Sequence, residues 1–168
     1  MRLKTNTMPN HLSTLGIIHT VISIIAIIAA FVALFRTGRI DPRSSAGRWY
    51  VILTILTCLT SFGVMKTGKF TPAHGVSALV LVLTLLALYA RRLFGARGPR
   101  VETILMTTTL FFSFIPAITE TLTRIPISHP IAENPDAAPV KTGYLILLVA
   151  FAVGLYFQLR KPKPAAAH

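Results

Sequence analysis

Five long apolar stretches dominate this sequence, each of 17 to 23 residues with few or no ionisable side chains. At about 1.5 Å per residue, each is long enough as a helix to cross a hydrocarbon core of about 30 Å. Soluble helices need charged outer faces, and these are absent here. The sequence therefore predicts an all-α, polytopic membrane bundle. Its spans are Ser13–Phe35, Trp49–Met65, Thr71–Ala90, Glu102–Thr123 and Thr142–Gln158.

The connections between these stretches are short, which leaves no room for a separate soluble domain. We therefore predict one transmembrane domain over residues 1–160, followed by a disordered basic tail over residues 161–168. Only 13% of the residues are charged, against about one-quarter in soluble domains. The bilayer is accordingly the first expected partner.

The net charge of +12 is unevenly distributed along the chain. Alternate connections and the tail carry 11 lysines and arginines on one side, whereas the opposite side carries 6. The positive-inside rule then places the N-terminus outside and the C-terminus in the cytoplasm. The basic connections would face anionic lipid headgroups, which accounts for the charge without a nucleic-acid partner.

Small and hydroxyl-bearing residues recur at helical spacing, as expected for contacts between membrane helices. In the first span this stripe includes Gly16, Ala26, Ala30 and Ala33, and in the fifth it includes Gly143, Ala150 and Gly154. Arg48 precedes an aromatic pair, Trp49–Tyr50, which is typical of the interfacial belt. Tyr50 also begins the inward stripe of the second span.

Three ionisable side chains fall within or beside the predicted spans, where such groups are costly and raise a functional hypothesis. They are His19, His74 and Glu120, all predicted near the external side. Two imidazoles and a carboxylate suit a transition metal, and two imidazoles suit axial haem ligation. His19 and His74 are thus candidate cofactor ligands, and Glu120 joins them as a metal ligand. The alternative is that the histidines bond neighbouring hydroxyls and that Glu120 pairs with Arg124 at i+4.

One face of the fourth span is unusually polar for a helix in lipid. Thr109, Ser113, Pro116, Glu120 and Arg124 share this face. Pro116 frees a backbone carbonyl, which nearby hydroxyls can compensate. We therefore predict that this face contacts protein or water, with Arg124, Ser113 and Thr109 supporting the site.

Three segments resemble an uncharacterised family of small bacterial multi-pass integral membrane proteins, a domain of unknown function. They are Gly47-Arg48-Trp49-Tyr50, Gly68-Lys69-Phe70-Thr71-Pro72-Ala73-His74 and Ile115-Pro116-Ala117-Ile118-Thr119-Glu120-Thr121-Leu122-Thr123-Arg124. The resemblance covers spans one to four and implies a bacterial inner-membrane location, but no reaction. Members of that family often carry a histidine before the fourth span. Here the segment reads Gly98-Pro99-Arg100-Val101-Glu102 and has none.

Three functions are compatible with these patterns. The first is a small redox-linked or metal- or haem-binding membrane protein with its site near the external face. The second is a small proton-coupled transporter or channel that uses the polar face of the fourth span and oligomerises. The third is a non-catalytic assembly subunit of a larger membrane complex. Nucleotide and hydrolase motifs are absent from the sequence, since it contains no GxGxxG, Walker A or GxSxG pattern.

Overall fold

A computed structural model describes residues 13–64, 72–126 and 128–160 of the chain. Within these ranges the fold is entirely helical, which confirms the predicted class. The helices are α1 (Thr14–Thr37), α2 (Ser45–Ser61), α3 (Pro72–Phe94), α4 (Gly98–Arg124) and α5 (Ala138–Arg160). A single 3-10 turn, Gly95–Arg97, joins α3 to α4. The predicted disordered tail, residues 161–168, lies outside the described residues.

Three helical stretches are long and apolar enough to cross a membrane, namely Thr14–Thr37, Pro72–Arg124 and Ala138–Arg160. The second stretch contains both α3 and α4, and it doubles back at the turn Gly95–Arg97, so that α3 and α4 pack against each other and Arg91 contacts Glu102. Helix α2 has 17 residues and lies at the lower limit of about 17 residues for a span. The membrane prediction is confirmed at this level. Five crossings and the orientation of the termini stay predictions.

Side-chain caps and a left-handed glycine fix the connection between α1 and α2. The hydroxyl of Ser13 accepts a hydrogen bond from the Gly16 N–H at the start of α1. Helix α1 ends at Gly38, whose φ of 72° is a conformation that glycine adopts without strain. Ser44 then caps α2 by accepting from the Gly47 N–H. These caps turn the chain back within seven residues, between Thr37 and Ser45.

The helices pack as two antiparallel pairs with one additional helix. Helix α1 lies along α2 and α3 lies along α4, while α2 also contacts α3 and α1 contacts α4. Helix α5 packs against α4 alone among the described elements. Four alanines, four larger aliphatic or thioether side chains and one aromatic ring form the shared core. Its buried members are Ala26, Ala30, Ala33, Ile40, Tyr50, Val51, Ala87, Met106 and Leu110.

The predicted contact stripe of α1 is confirmed, since Gly16, Ala26, Ala30 and Ala33 are all buried. Small side chains allow α1 and α2 to approach closely. Between membrane helices such close packing stabilises association, because the hydrophobic effect does not drive helices together within lipid. Tyr50 is fully buried in the core, which confirms its inward assignment, and the interfacial belt stays a prediction. Ala150 of the predicted α5 stripe is exposed.

Large apolar side chains cover the outside of the bundle. On α1 alone Ile17, Ile24 and Ile28 are each about half exposed. Helix α5 has Val140 as its one buried residue within the described chain. Because such a surface would be unfavourable in water, it fits a protein whose outer face contacts acyl chains.

Candidate functional site

Both predicted histidine ligands contact helix α2 or its C-terminal cap. Nδ1 of His19 on α1 lies 3.1 Å from the hydroxyl oxygen of Thr60, a hydrogen bond between the two helices. His74 is buried at the start of α3 and its ring stacks against Phe62, which caps the C-terminus of α2. Each imidazole therefore contributes to packing between neighbouring helices.

Glu120 forms an ion pair with Arg124 one helical turn later, which confirms the predicted i+4 pairing. About half of the Glu120 side chain is exposed. Farther along this face of α4, Thr109 is fully buried and hydrogen-bonded to the Tyr50 hydroxyl at 2.9 Å. The Ser113 hydroxyl donates to the carbonyl of Thr109, so it is satisfied within α4. The polar face thus contacts protein at Thr109 and becomes exposed toward Glu120.

His19, His74 and Glu120 do not form a metal site in the structure. Across residues 13–64, 72–126 and 128–160, no group of three histidine, cysteine or carboxylate side chains is arranged to hold a metal ion. The metal-site prediction consequently has no structural support. Haem binding by the two histidines stays a prediction.

A cluster of charged residues lies instead at the opposite end of the bundle. Its centre is Glu102 at the start of α4, a carboxylate that is 4% exposed. Arg91 of α3 donates from Nε to Oε2 at 2.9 Å and from Nη2 to Oε1 at 3.1 Å. Arg43 of the α1–α2 connection donates from Nη2 to Oε1 at 2.9 Å. Glu102 therefore joins two separate parts of the chain to α4.

Asp41 extends this network within the α1–α2 connection. Its carboxylate accepts hydrogen bonds from the backbone N–H of Arg43 at 3.0 Å and from both Nε and Nη2 of that side chain. Arg39 lies 3.4 Å from the second oxygen, and Arg91 lies 3.9 Å from it. We call Arg39, Asp41, Arg43, Arg91 and Glu102 the ion-pair cluster.

The arginines lower the pKa of Asp41. Partial burial alone would raise that pKa, because burial disfavours the charged form. The hydrogen bonds from Arg43 and the positive charges of Arg43 and Arg39 outweigh burial, so the net shift is downward. Asp41 is thus held as an anion at neutral pH.

Two glycines allow the backbone to approach the ion-pair cluster closely. A Cβ atom on Gly47 would lie 1.9 Å from the carbonyl oxygen of Asp41. A Cβ atom on Gly98 would lie 2.4 Å from the Cα of Arg91. Neither distance is sterically possible, so both contacts require glycine. These approaches bring the α1–α2 connection onto α2 and the start of α4 onto α3.

The end of the bundle that carries this cluster is strongly basic. We call it the basic end, comprising the ends of α1 and α3 and the starts of α2 and α4. The Gln158 side chain of α5 contacts Thr107, so the C-terminus of α5 lies toward the same end. Among described residues, nine arginines and only two carboxylates, Asp41 and Glu102, lie there. The arginines are Arg36, Arg39, Arg43, Arg48, Arg91, Arg92, Arg97, Arg100 and Arg160.

Sequence reasoning identified the basic connections but missed the ion-pair cluster. A signal was available, because Asp41 and Glu102 are the two acidic residues among these arginines. Glu102 also begins a predicted span, where an unpaired carboxylate would be costly. The pairing partner could not be predicted, because 59 residues separate Arg43 from Glu102 and several arginines compete.

Comparisons with protein-family models, curated proteins and solved structures found no match. The resemblance to an uncharacterised membrane family therefore stays a prediction. The fold defines an all-helical protein that has three helical stretches long and apolar enough to span a membrane.

Proposed function

We propose that this chain is a multi-pass protein of a bacterial inner membrane and serves as a non-catalytic binding or assembly subunit. Its five helices cross the bilayer, with the N-terminus outside and the basic end in the cytoplasm. The excess of nine arginines over two carboxylates at that end, among described residues, supports this orientation through the positive-inside rule.

The observation that carries the proposal is the ion-pair cluster. Glu102 connects α4 to Arg91 on α3 and to Arg43 in the α1–α2 connection. A buried carboxylate with several charge-assisted bonds fixes the relative position of the elements that hold it. Exposed arginines at the same end, such as Arg92, Arg97 and Arg100, are consequently presented on a rigid framework. Such a surface suits an acidic region of a partner protein in the membrane.

Polar groups between the helices support the same function. His19 bonds Thr60, Tyr50 bonds Thr109, and each bond joins two helices of this chain. On α5, Tyr144 contacts Thr119 and Gln158 accepts from Thr107. These groups hold the bundle together, which is the role expected of a structural subunit.

Native mass spectrometry of the tagged full chain, extracted in mild detergent, tests this proposal. We expect a complex of defined stoichiometry with another membrane protein. Substituting Arg92, Arg97 and Arg100 together by glutamine should release the partner, because the acidic surface loses its counter-charges. The matched control is Lys141→Gln, an exposed cation at the other end, which should leave the complex intact.

Two outcomes would contradict the assembly function. One is a chain that is monomeric in every mild detergent, and the other is a triple variant that keeps its partner.

The redox hypothesis is tested on the same samples by metal analysis and a visible spectrum. A stoichiometric metal or a haem absorption band, lost in His19→Ala and His74→Ala variants that still fold, would replace the assembly function with that hypothesis.

A further inference from the structure

We propose that a groove on the outer face of α2 binds the headgroup and upper acyl chain of one anionic phospholipid. The inference depends on the membrane location proposed above, but not on any protein partner. Ser45, Arg48, Trp49 and Ile52 line a half-open groove of about 330 Å³. Small-molecule sites begin at about 300 Å³, so a lipid headgroup fits this volume.

The lining changes from polar to apolar along the helix axis. Ser45 and Arg48 lie in the first turn of α2, whereas Ile52 lies about two turns into the helix. These residues follow i, i+3, i+4 and i+7 spacing, which places all four on one face. A phospholipid shows the same order from polar to apolar, with its phosphate at the membrane surface and its acyl chains below it.

Arg48 differs from the arginines of the ion-pair cluster in its availability. Arg39, Arg43 and Arg91 are committed to Asp41 or Glu102. Arg48 is exposed, and no carboxylate of the described chain lies within ion-pair distance of it. An arginine at the membrane surface beside a hydroxyl favours a phosphate that carries negative charge.

Trp49 adds the feature that distinguishes a lipid from a soluble anion. Its side chain is 58% exposed and adjoins Arg48, while Ile52 below it is 42% exposed. An indole prefers the level of the headgroups in a bilayer, with its ring against the upper part of the chains. A free phosphate would use Arg48 but would leave Trp49 and Ile52 uncovered.

Trp49 is the one tryptophan in the sequence, so its fluorescence reports directly on the groove. The purified full chain is reconstituted in bilayers of phosphatidylcholine and phosphatidylglycerol, with bromine on the acyl chains of one lipid at a time. Bromine quenches tryptophan on contact. We expect brominated phosphatidylglycerol to reach half-maximal quenching at about one-fifth of the mole fraction that brominated phosphatidylcholine needs, given the contribution of one arginine at an anionic surface.

Arg48→Gln should abolish this preference, and quenching by the two lipids should become equal. Arg92→Gln is the matched control, since Arg92 is exposed at the same end but does not line the groove. The inference is overturned if both lipids quench the natural chain equally, which indicates a non-specific lipid shell. It is also overturned if Arg92→Gln removes the preference, which indicates general surface charge. Because no protein partner is present in these bilayers, neither result depends on the assembly function.

Discussion

Arg91 holds both oxygens of the Glu102 carboxylate, with Nε 2.9 Å from Oε2 and Nη2 3.1 Å from Oε1. This two-point contact matches the planar guanidinium to the planar carboxylate, a geometry that lysine cannot reproduce. It joins the last turn of α3 to Glu102, the fifth residue of α4, and so links the two helices beside the turn that connects them.

Glu102→Gln should destabilise the protein by about 1–3 kcal/mol, because the variant removes one of the two carboxylate charges shared by Arg43 and Arg91 and leaves them only Asp41. The side chains of Arg91 and Arg43 are 36% and 51% exposed, so water partly replaces the hydrogen bonds that they lose to the carboxylate. Arg91→Lys should cost less, since one bond can persist. Unfolding by detergent titration, followed by circular dichroism, measures both. Glu133→Gln, an exposed carboxylate, is the control, and equal effects at positions 102 and 133 would contradict the role of the cluster.

The stability of the α1–α2 connection should fall in acid because of Asp41. Its pKa is lower in the folded chain than the ordinary value of 3.8, so its charged form contributes stability at neutral pH. That contribution is complete above the ordinary pKa and is lost as the pH falls through the folded pKa. Asp41→Asn should therefore lower the unfolding temperature at pH 7 but have little effect at the lowest pH the detergent tolerates. Asp136→Asn is the matched comparison, and an equal dependence in both variants would refute this assignment.

Gly47→Ala and Gly98→Ala should each destabilise the fold, because the added Cβ atoms would overlap Asp41 and Arg91 backbone atoms. Gly75→Ala provides a control within α3, since a Cβ there meets nothing within 4 Å. That variant should stabilise the protein by up to about 1 kcal/mol through helix propensity. Thermal unfolding of the three purified variants separates these effects. Similar losses in all three would argue against the close approach.

The buried bond between Tyr50 and Thr109 should be measurable by a double-mutant cycle. Tyr50→Phe removes the hydroxyl without changing the ring, and its expected cost is about 1 kcal/mol. Thr109→Val removes the partner, and the coupling between the two changes should be about 0.6 kcal/mol, as for other hydrogen bonds between membrane helices. Additive effects would show that the 2.9 Å contact contributes nothing to stability.

Membrane orientation can be determined with single cysteines in a Cys58→Ser background, since Cys58 is the chain's one cysteine. Ala96→Cys lies in the turn between α3 and α4, and Glu133→Cys lies between α4 and α5. Both positions are exposed. In intact spheroplasts an impermeant maleimide should label position 133 and spare position 96. The reverse pattern would place the basic end outside and overturn the proposed topology.

The sequence was sufficient to predict the helices, because hydrophobic length is a local property of the chain. It also predicted which face of α1 is buried, since Ala26, Ala30 and Ala33 share one helical face. Local spacing gave the Glu120–Arg124 pair for the same reason. The proposed convergence of His19, His74 and Glu120 depended on helix rotation and neighbour order, which spacing does not specify. The three were predicted as one metal site, whereas the described structure holds no such group.

The short turn at Gly95–Arg97 has a consequence for how the protein enters its membrane. In the proposed topology, the three residues of this turn leave no slack between α3 and α4, and we expect the two helices to insert together as a hairpin rather than one after the other. Arg91 and Glu102 are only 11 residues apart, so they can form their ion pair before α3 and α4 enter the bilayer. Arg43 is 59 residues from Glu102, so its bond closes only when the first two helices dock.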